Sequence, residues 1–162
     1  MHYVTAYLLT GSNIGCKLIN LIEAAELIDD TTHCIVTETS SVYRTAPWGY
    51  KNQPAFFNQA LKIRTSLPPY ILLKRMKAIE KKMGRKPNEK WRARLIDIDI
   101  LLYGNEKVSA NDLIIPHPGL HVRKFALSCL SEIAGNVKHP VHAQTISKLA
   151  QNCTDHSLVI KL

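Results

Sequence analysis

The sequence predicts an α+β fold. Short segments with alternating apolar residues are interleaved with segments whose apolar residues recur at helical spacing, and turn formers separate them. The order of the two kinds is β-α-β-β-α-β. Val4, Ala6 and Leu8 alternate with Tyr3, Thr5 and Tyr7 in a first strand, which Gly11-Ser12-Asn13 should break. Leu18, Leu21, Ile22, Ala25 and Ile28 then follow the 3.6-residue period, predicting an amphipathic helix over Lys17 to Asp29. His33 to Ser41, with Ile35, Val36, Thr37 and Thr39, favours a second strand.

Thr45 to Pro54 reads as a long loop, and Phe56 to Thr65 as a third strand. Ser66 is placed to cap a second helix, with Pro68 or Pro69 in its first turn. Leu72, Met76, Ile79 and Met83 form that helix's apolar stripe, and Gly84 is placed to end it. Leu95 to Tyr103 is the fourth strand, closed by Gly104-Asn105. This order is that of a ferredoxin-like βαββαβ core: an antiparallel sheet flanked by helices. Further helices are expected near Val122 to Leu130 and Thr145 to Asn152. With 162 residues and no linker, repeat or low-complexity tract, one domain over 1–162 is expected.

Apolar residues make up 46% and charged residues 21%, the composition of a globular chain. No apolar run is long enough to cross a bilayer. The opening Met1-His2-Tyr3 has no basic, then apolar, secretory pattern, so a cytoplasmic protein is expected. Cys16, Cys34, Cys129 and Cys153 are too scattered for a zinc site or redox pair and are read as reduced thiols.

The net charge of +8 favours anionic partners. Arg85, Lys86, Lys90, Arg92 and Arg94 crowd one loop against a single acid, Glu89. The strand that follows reads Leu95-Ile96-Asp97-Ile98-Asp99-Ile100-Leu101-Leu102. Alternation puts Asp97 and Asp99 on one face, and Ile96, Ile98, Ile100 and Leu102 on the other, facing the core. Two like charges side by side repel, and a hard divalent cation resolves the conflict; magnesium uses one or two carboxylates plus phosphate oxygens. A solvated strand face is the plain alternative for a D-x-D pattern alone. Cations beside such a pair suit a polyphosphate. An RNA-holding module is permitted by charge and topology, yet these acids would repel a phosphate backbone.

Several segments resemble the 6-hydroxymethyl-7,8-dihydropterin pyrophosphokinases: Gly11-Ser12-Asn13; Tyr43 to Gly49 with Gln53-Pro54 and Asn58; Gly84-Arg85, Trp91 to Arg94 and Asp97 to Leu101; and Pro116-His117-Pro118 with Arg123, Phe125 and Glu132-Ile133-Ala134. The resemblance implies a diphosphotransferase of folate biosynthesis, with ATP as co-substrate and two magnesium ions. The pterin hydroxymethyl oxygen attacks the β-phosphorus, and AMP leaves. It implies metal binding by Asp97 and Asp99, and catalytic roles for Arg85, Arg94, Asp99, Trp91 and Arg92. ATP would be held by Arg85, Arg94, Ile100, His117, Arg123, Glu80 and Lys77. The pterin would be held by Thr45, Pro47, Trp48, Phe56, Asn58, Asp97 and Phe125. Trp91 and Arg92 would close over the substrates. No nucleic acid or membrane partner is implied, and a monomer is favoured. Another magnesium-dependent phosphotransferase is the alternative reading. Pro87 stands where many relatives have a basic residue, and Ala93 where proline is frequent; both bear on loop contacts rather than reaction type.

Overall fold

A computed structural model describes residues 2–86 and 92–162. Eight strands and four α-helices are present among them: β1 (Val4–Ser12), α1 (Lys17–Asp29), β2 (Cys34–Thr39), β3 (Tyr43–Thr45), β4 (Phe56–Thr65), α2 (Pro69–Lys82), β5 (Asp97–Tyr103), β6 (Val108–Ser109), β7 (Ile114–Ile115), α3 (Lys124–Ala134), α4 (Ile146–Gln151) and β8 (Val159–Lys161). A 3-10 turn at Leu120–Val122 precedes α3. The main sheet is antiparallel and runs β5-β1-β4-β3-β8, with β2 pairing the other half of β4. The fold is thus mixed α and β around one antiparallel sheet.

Helices cover both faces. On one, Leu21, Ala24 and Ile28 of α1 and Leu72, Met76 and Ile79 of α2 pack on Ala6, Leu8, Leu61, Ile63, Ile98 and Ile100. On the other, Leu127, Leu130 and Ile133 of α3 and Ile146 and Leu149 of α4 pack on Tyr7, Leu9, Ala60 and Leu102. Each fully buried Leu or Ile contributes roughly 1.5–3 kcal/mol, so both layers hold the sheet.

Several expectations are corrected. β1 does not break at Gly11; it runs through Ser12, paired with Phe57. The buried stripe of α1 is Leu21, Ala24 and Ile28, whereas Leu18 and Ile22 are about half exposed, at 47% and 48%. Ser66 is not the cap of α2: Pro68 occupies that position with no side-chain hydrogen bond, and Pro69 begins the helix. Leu102 lies on the α3 face rather than with Ile98 and Ile100. The cause is a register shift: Leu8 pairs Ile100 but Tyr7 pairs Leu102, so Leu101 is an extra residue that resets the alternation. Thr45 ends a short strand instead of opening a loop. Gly84 does end α2, at φ 97°, a conformation that glycine adopts without a Cβ penalty.

Glu132 on α3 ties the chain's end to this frame. It accepts the Ser41 N–H at 2.8 Å and the Tyr43 hydroxyl, and pairs with Lys161 of β8 at 3.1 Å. Burial opposes its charge, but these donors outweigh burial and hold the carboxyl down at about 2. Its contribution is full above the ordinary carboxyl value near 4.5 and is lost as pH falls towards about 2. Glu132→Gln should cost about 1 kcal/mol at pH 7, where solvent screening is partial, or about 3 °C in Tm. Thermal melts of both proteins from pH 7 down to 2 should show that difference disappear; a gap that persists at low pH would contradict the ionic account.

Candidate active site

The register of the sheet builds one row of side chains. Asp97 on β5 lies opposite Gly11 on β1, which lies opposite Asn58 on β4, which lies opposite Tyr43 on β3. Gly11 leaves the gap in this row: a Cβ there would stand 2.7 Å from Asn58 Oδ1. Asp99 is two residues further along, opposite Leu9, on the same face. That face is capped by α3, whose N-terminal end brings Arg123 and Phe125 over the row. A cavity of about 330 Å³ results. Its walls divide by chemistry. Thr45, Trp48, Phe56, Asn58 and Phe125 form a largely aromatic part, and Lys77, Arg85, Arg94, Arg123 and His117 meet Asp97 and Asp99 in a charged part.

In the aromatic part, Asn58 Nδ2 donates to Thr45 Oγ1 at 2.7 Å, and both residues are buried. The Trp48 and Phe125 rings lie 6.4 Å apart at 58°. Arg94 covers Phe56, its guanidinium carbon 5.8 Å from the ring centre. Arg123 lies over Trp48 at 5.5 Å.

The charged part is uneven. Asp97 pairs with Arg85 at 2.5 Å and with Arg94 at 3.3 Å. Burial would raise its carboxyl, but Arg94 and Arg85 outweigh burial and hold it below the ordinary value. Asp99 has no such partner; among the described residues its nearest basic side-chain nitrogen is His117 Nε2, at 3.9 Å. Burial, with Asp97 beside it, pushes Asp99 up to about 7. Among the described residues Arg123 makes no ion pair, and its Nε is buried without a hydrogen-bond partner. Burial lowers its pKa. Gly119 makes room for it, since a Cβ there would stand 2.6 Å from Arg123 Nε.

His117 is held in one tautomer. The Gly119 N–H donates to its Nδ1 at 3.0 Å, so the proton of the neutral ring sits on Nε2, the atom on the Asp99 side. Burial, then the Arg123 charge, lowers its pKa to about 4, which keeps the ring neutral. Its backbone N–H donates to Leu101 O at 3.0 Å, fixing the turn to β5.

Glu80 stands behind the cavity rather than in its wall. Only 2% exposed, it accepts the Ile98 N–H at 2.7 Å and Lys77 Nζ at 2.9 Å, and pairs with Arg85 at 2.7 Å. It thereby orients two of the cations. Ile100 is also absent from the main cavity, and only 4% of it is exposed. It lines a second hollow of about 320 Å³ that shares Lys77, Asp99 and His117 with the first. Pro47 lines a separate surface hollow with Leu158 and Ile160. The Arg92 carbonyl accepts from Arg94 Nε at 3.1 Å. Trp91 lies outside the described residues.

Two roles were not legible in the sequence: that of Gly119, and that of Asn13, whose side-chain amide donates to Gln53 Oε1 and the Pro54 carbonyl and accepts the Arg94 N–H. Asn13 stood in the sequence only as part of a motif, and Gly119 reads as an ordinary turn residue after Pro118.

Residues 7–135 match the family model described as 7,8-dihydro-6-hydroxymethylpterin-pyrophosphokinase. The 2-amino-4-hydroxy-6-hydroxymethyldihydropteridine pyrophosphokinase of Aquifex aeolicus (strain VF5) is 40% identical over 144 residues, 89% of this chain and 89% of the relative. The enzyme of the same name from Bacillus subtilis (strain 168) is 40% identical over 141 residues, 86% of this chain and 84% of the relative. Among solved structures, wild-type HPPK-DHPS of Plasmodium falciparum with pterin and p-hydroxybenzoate superposes with a TM-score of 0.74 at 18% identity. That match covers 93% of this chain and 43% of the Plasmodium chain, a likeness of fold.

Fold, cavity and relatives together define an ATP-dependent diphosphotransferase. The chain belongs to the 7,8-dihydro-6-hydroxymethylpterin-pyrophosphokinase family. It transfers diphosphate from ATP to the hydroxymethyl group of the reduced pterin, in folate biosynthesis.

Proposed function

We propose that the pterin occupies the aromatic part of the main cavity, the adenine end of ATP the second hollow, and the triphosphate the zone where the two meet. The observation that carries this is the sharing of Lys77, Asp99 and His117 by both hollows. A phosphate chain running from one to the other passes the acids and the cations together.

The donor set fits magnesium. Among the described residues no group of three or more His, Cys, Asp and Glu is placed to hold an ion. Asp97 and Asp99 offer carboxylate oxygens alone, and the remaining ligands would come from phosphate and water, as magnesium prefers. Asp99, pushed up to about 7, has no paired arginine or lysine among the described residues. We infer that Asp97 and Asp99 hold two magnesium ions with the nucleotide, which would neutralise phosphate charge and favour in-line geometry.

The chain's own groups then act as follows. Arg85 and Arg94, which neutralise Asp97 here, stand where phosphate oxygens compete for them. Arg123, which makes no ion pair among the described residues and whose Nε has no hydrogen-bond partner among them, offers a guanidinium to the phosphate chain. Neutral His117 presents Nε2–H as a donor to a phosphate oxygen. Lys77 adds a point charge, and Glu80 aims Lys77 and Arg85. Ile100 contacts the nucleotide in the second hollow. Thr45 and Asn58 pair with the pterin edge, Asp97 lies beside its hydroxymethyl end, and Phe56, Phe125 and Trp48 frame the slot, while Pro47, which lines the neighbouring surface hollow, bears on the pterin only through the loop that carries Trp48. Arg92 and Trp91 belong to the segment we assign to closure over the substrates. The hydroxymethyl oxygen bonds to the β-phosphorus, the α,β-anhydride oxygen leaves with AMP, and the hydroxyl proton is released.

We further propose that β5-β1-β4-β2 with α1 and α2 is the ferredoxin-like core expected from the sequence, that 1–162 form a single domain, and that the protein acts as a cytoplasmic monomer. Among the described residues no helix is long and apolar enough to cross a membrane.

Product analysis tests the assignment: with pterin, ATP and magnesium, AMP and the pterin diphosphate should form in equal amounts, and no AMP without pterin. ADP as main product would overturn it. Phe125→Ala separates the subsites. Loss of an aromatic platform removes roughly 1–3 kcal/mol, or about 5- to 150-fold in pterin affinity. ATP affinity should hold within roughly two-fold, since under 0.5 kcal/mol is at stake there. Equal loss for both ligands in calorimetry would make Phe125 merely structural.

A further inference from the structure

We propose that Asn13 is a positioning residue that sets the pterin-side loop and the Arg94 segment against each other. It is fully buried at the end of β1 and touches both. Its Nδ2 donates to Gln53 Oε1 and to the Pro54 carbonyl, each at 3.1 Å. Its Oδ1 accepts the Arg94 N–H at 2.7 Å, and its own N–H donates to the Arg94 carbonyl at 3.2 Å.

The orientation of this amide is fixed by its partners. The Pro54 carbonyl can only accept, and the Arg94 N–H can only donate, so oxygen and nitrogen cannot exchange. Gln53 is turned the same way, because its Nε2 donates to Tyr50 O at 2.7 Å and leaves Oε1 for Asn13. Two segments are therefore joined through one planar group. The 46–55 segment carries Trp48 into the cavity wall. Arg94 covers Phe56 and pairs with Asp97. A shift in either segment is felt by the other through a rigid amide about the size of one peptide group. Buried side-chain pairings of this kind are costly to leave half made. Asn13 touches neither substrate in the arrangement above; it acts through Trp48 and Arg94.

Asparagine is required for a physical reason. Aspartate keeps an acceptor for the Arg94 N–H but turns its second oxygen towards two acceptors, Gln53 Oε1 and Pro54 O. Asn13→Asp therefore breaks the pterin-side arm alone. Asn13→Ala breaks both side-chain arms.

The inference rests on the proposed assignment of Trp48 to the pterin and Arg94 to phosphate, and the test separates the two. Steady-state kinetics of the whole enzyme with both substrates varied, alongside thermal melts, should show a split. In Asn13→Asp the pterin KM should rise about ten-fold while the ATP KM stays within about two-fold, as the pterin-side bonds are lost and the bond that holds the Arg94 segment is kept. In Asn13→Ala the ATP KM should rise as well, and kcat should fall about ten-fold or more through misplacement of Arg94. Parallel changes in both KM values in the two variants, no change in the pterin KM of Asn13→Asp, or failure of both variants to fold would each overturn the proposal by making Asn13 structural only. If instead Phe125→Ala leaves the pterin KM unchanged and Arg94→Ala leaves the ATP KM unchanged, the substrate assignment itself fails, whatever Asn13 does.

Discussion

Asp99→Asn should abolish turnover while leaving the protein folded and no less stable. Asp99 lacks a positive partner among the described residues, and Asp97 faces it from the same side of β5. Its carboxyl is pushed up to about 7 by burial and by that neighbour, so folding gains nothing from its charge. The amide has nearly the same shape and removes the repulsion, so Tm should stay level or rise. The active complex loses an anionic oxygen that we assign to a metal. Removing one such electrostatic contact costs about 10²–10³-fold in rate, and loss of a metal ligand adds to it. A kcat decrease of about 10³-fold or more is expected. Asp97→Asn should lose activity to a similar degree, but for a mixed reason, since it also takes an ionic partner from Arg85 and Arg94, of which Arg85 keeps Glu80. Rates at rising magnesium concentration, with melts with and without magnesium and an unreactive ATP analogue, check this. Normal turnover in Asp99→Asn would remove the acid from the mechanism.

Arg123→Met should move activity and stability in opposite directions. The guanidinium is buried, its Nε has no hydrogen-bond partner among the described residues, and burial lowers its pKa, so the folded protein carries a charge that water would solvate better. Methionine fills similar space without that cost, and Tm should rise by a few degrees, about 1 kcal/mol at this chain length. If the phosphate chain meets this guanidinium, kcat/KM for ATP should fall about 10²-fold when it is removed. Gly119→Ala offers an independent check. Its new Cβ would collide with Arg123 Nε, so it should displace the guanidinium and weaken ATP use while leaving the arginine in the sequence. A fall in Tm for Arg123→Met with unchanged ATP kinetics would show that Arg123 is a structural residue.

The clearest part of the site in the sequence was the D-x-D of β5. Strand alternation alone puts Asp97 and Asp99 on one face, and their burial pattern agrees, with Ile98 and Ile100 buried between and after them. The extent of α1, the stripe of α2 and the stop at Gly84 were legible for the same reason, a local period and a local backbone preference, whereas the α1 stripe was read one position off at Ala24 and wrongly included Leu18 and Ile22. Leu102 was misplaced because a bulge depends on which residue sits opposite, and that partner lies about a hundred positions away in β1. β3 and β8 were hidden because each is only three residues long and gains its bonds from a distant strand.

The sequence by itself determined the order of elements, the paired acids with their neighbouring cations, and enough motif spacing to place the chain in its family. Only the tertiary structure decided how those charges are shared: Asp97 satisfied by two arginines, Asp99 and Arg123 without close opposite charges among the described residues, and His117 fixed with its proton on Nε2. Local periodicity depends on a few neighbouring residues, whereas the state of a buried charge depends on every dipole and charge that folding brings within a few ångströms, from segments the chain order keeps far apart.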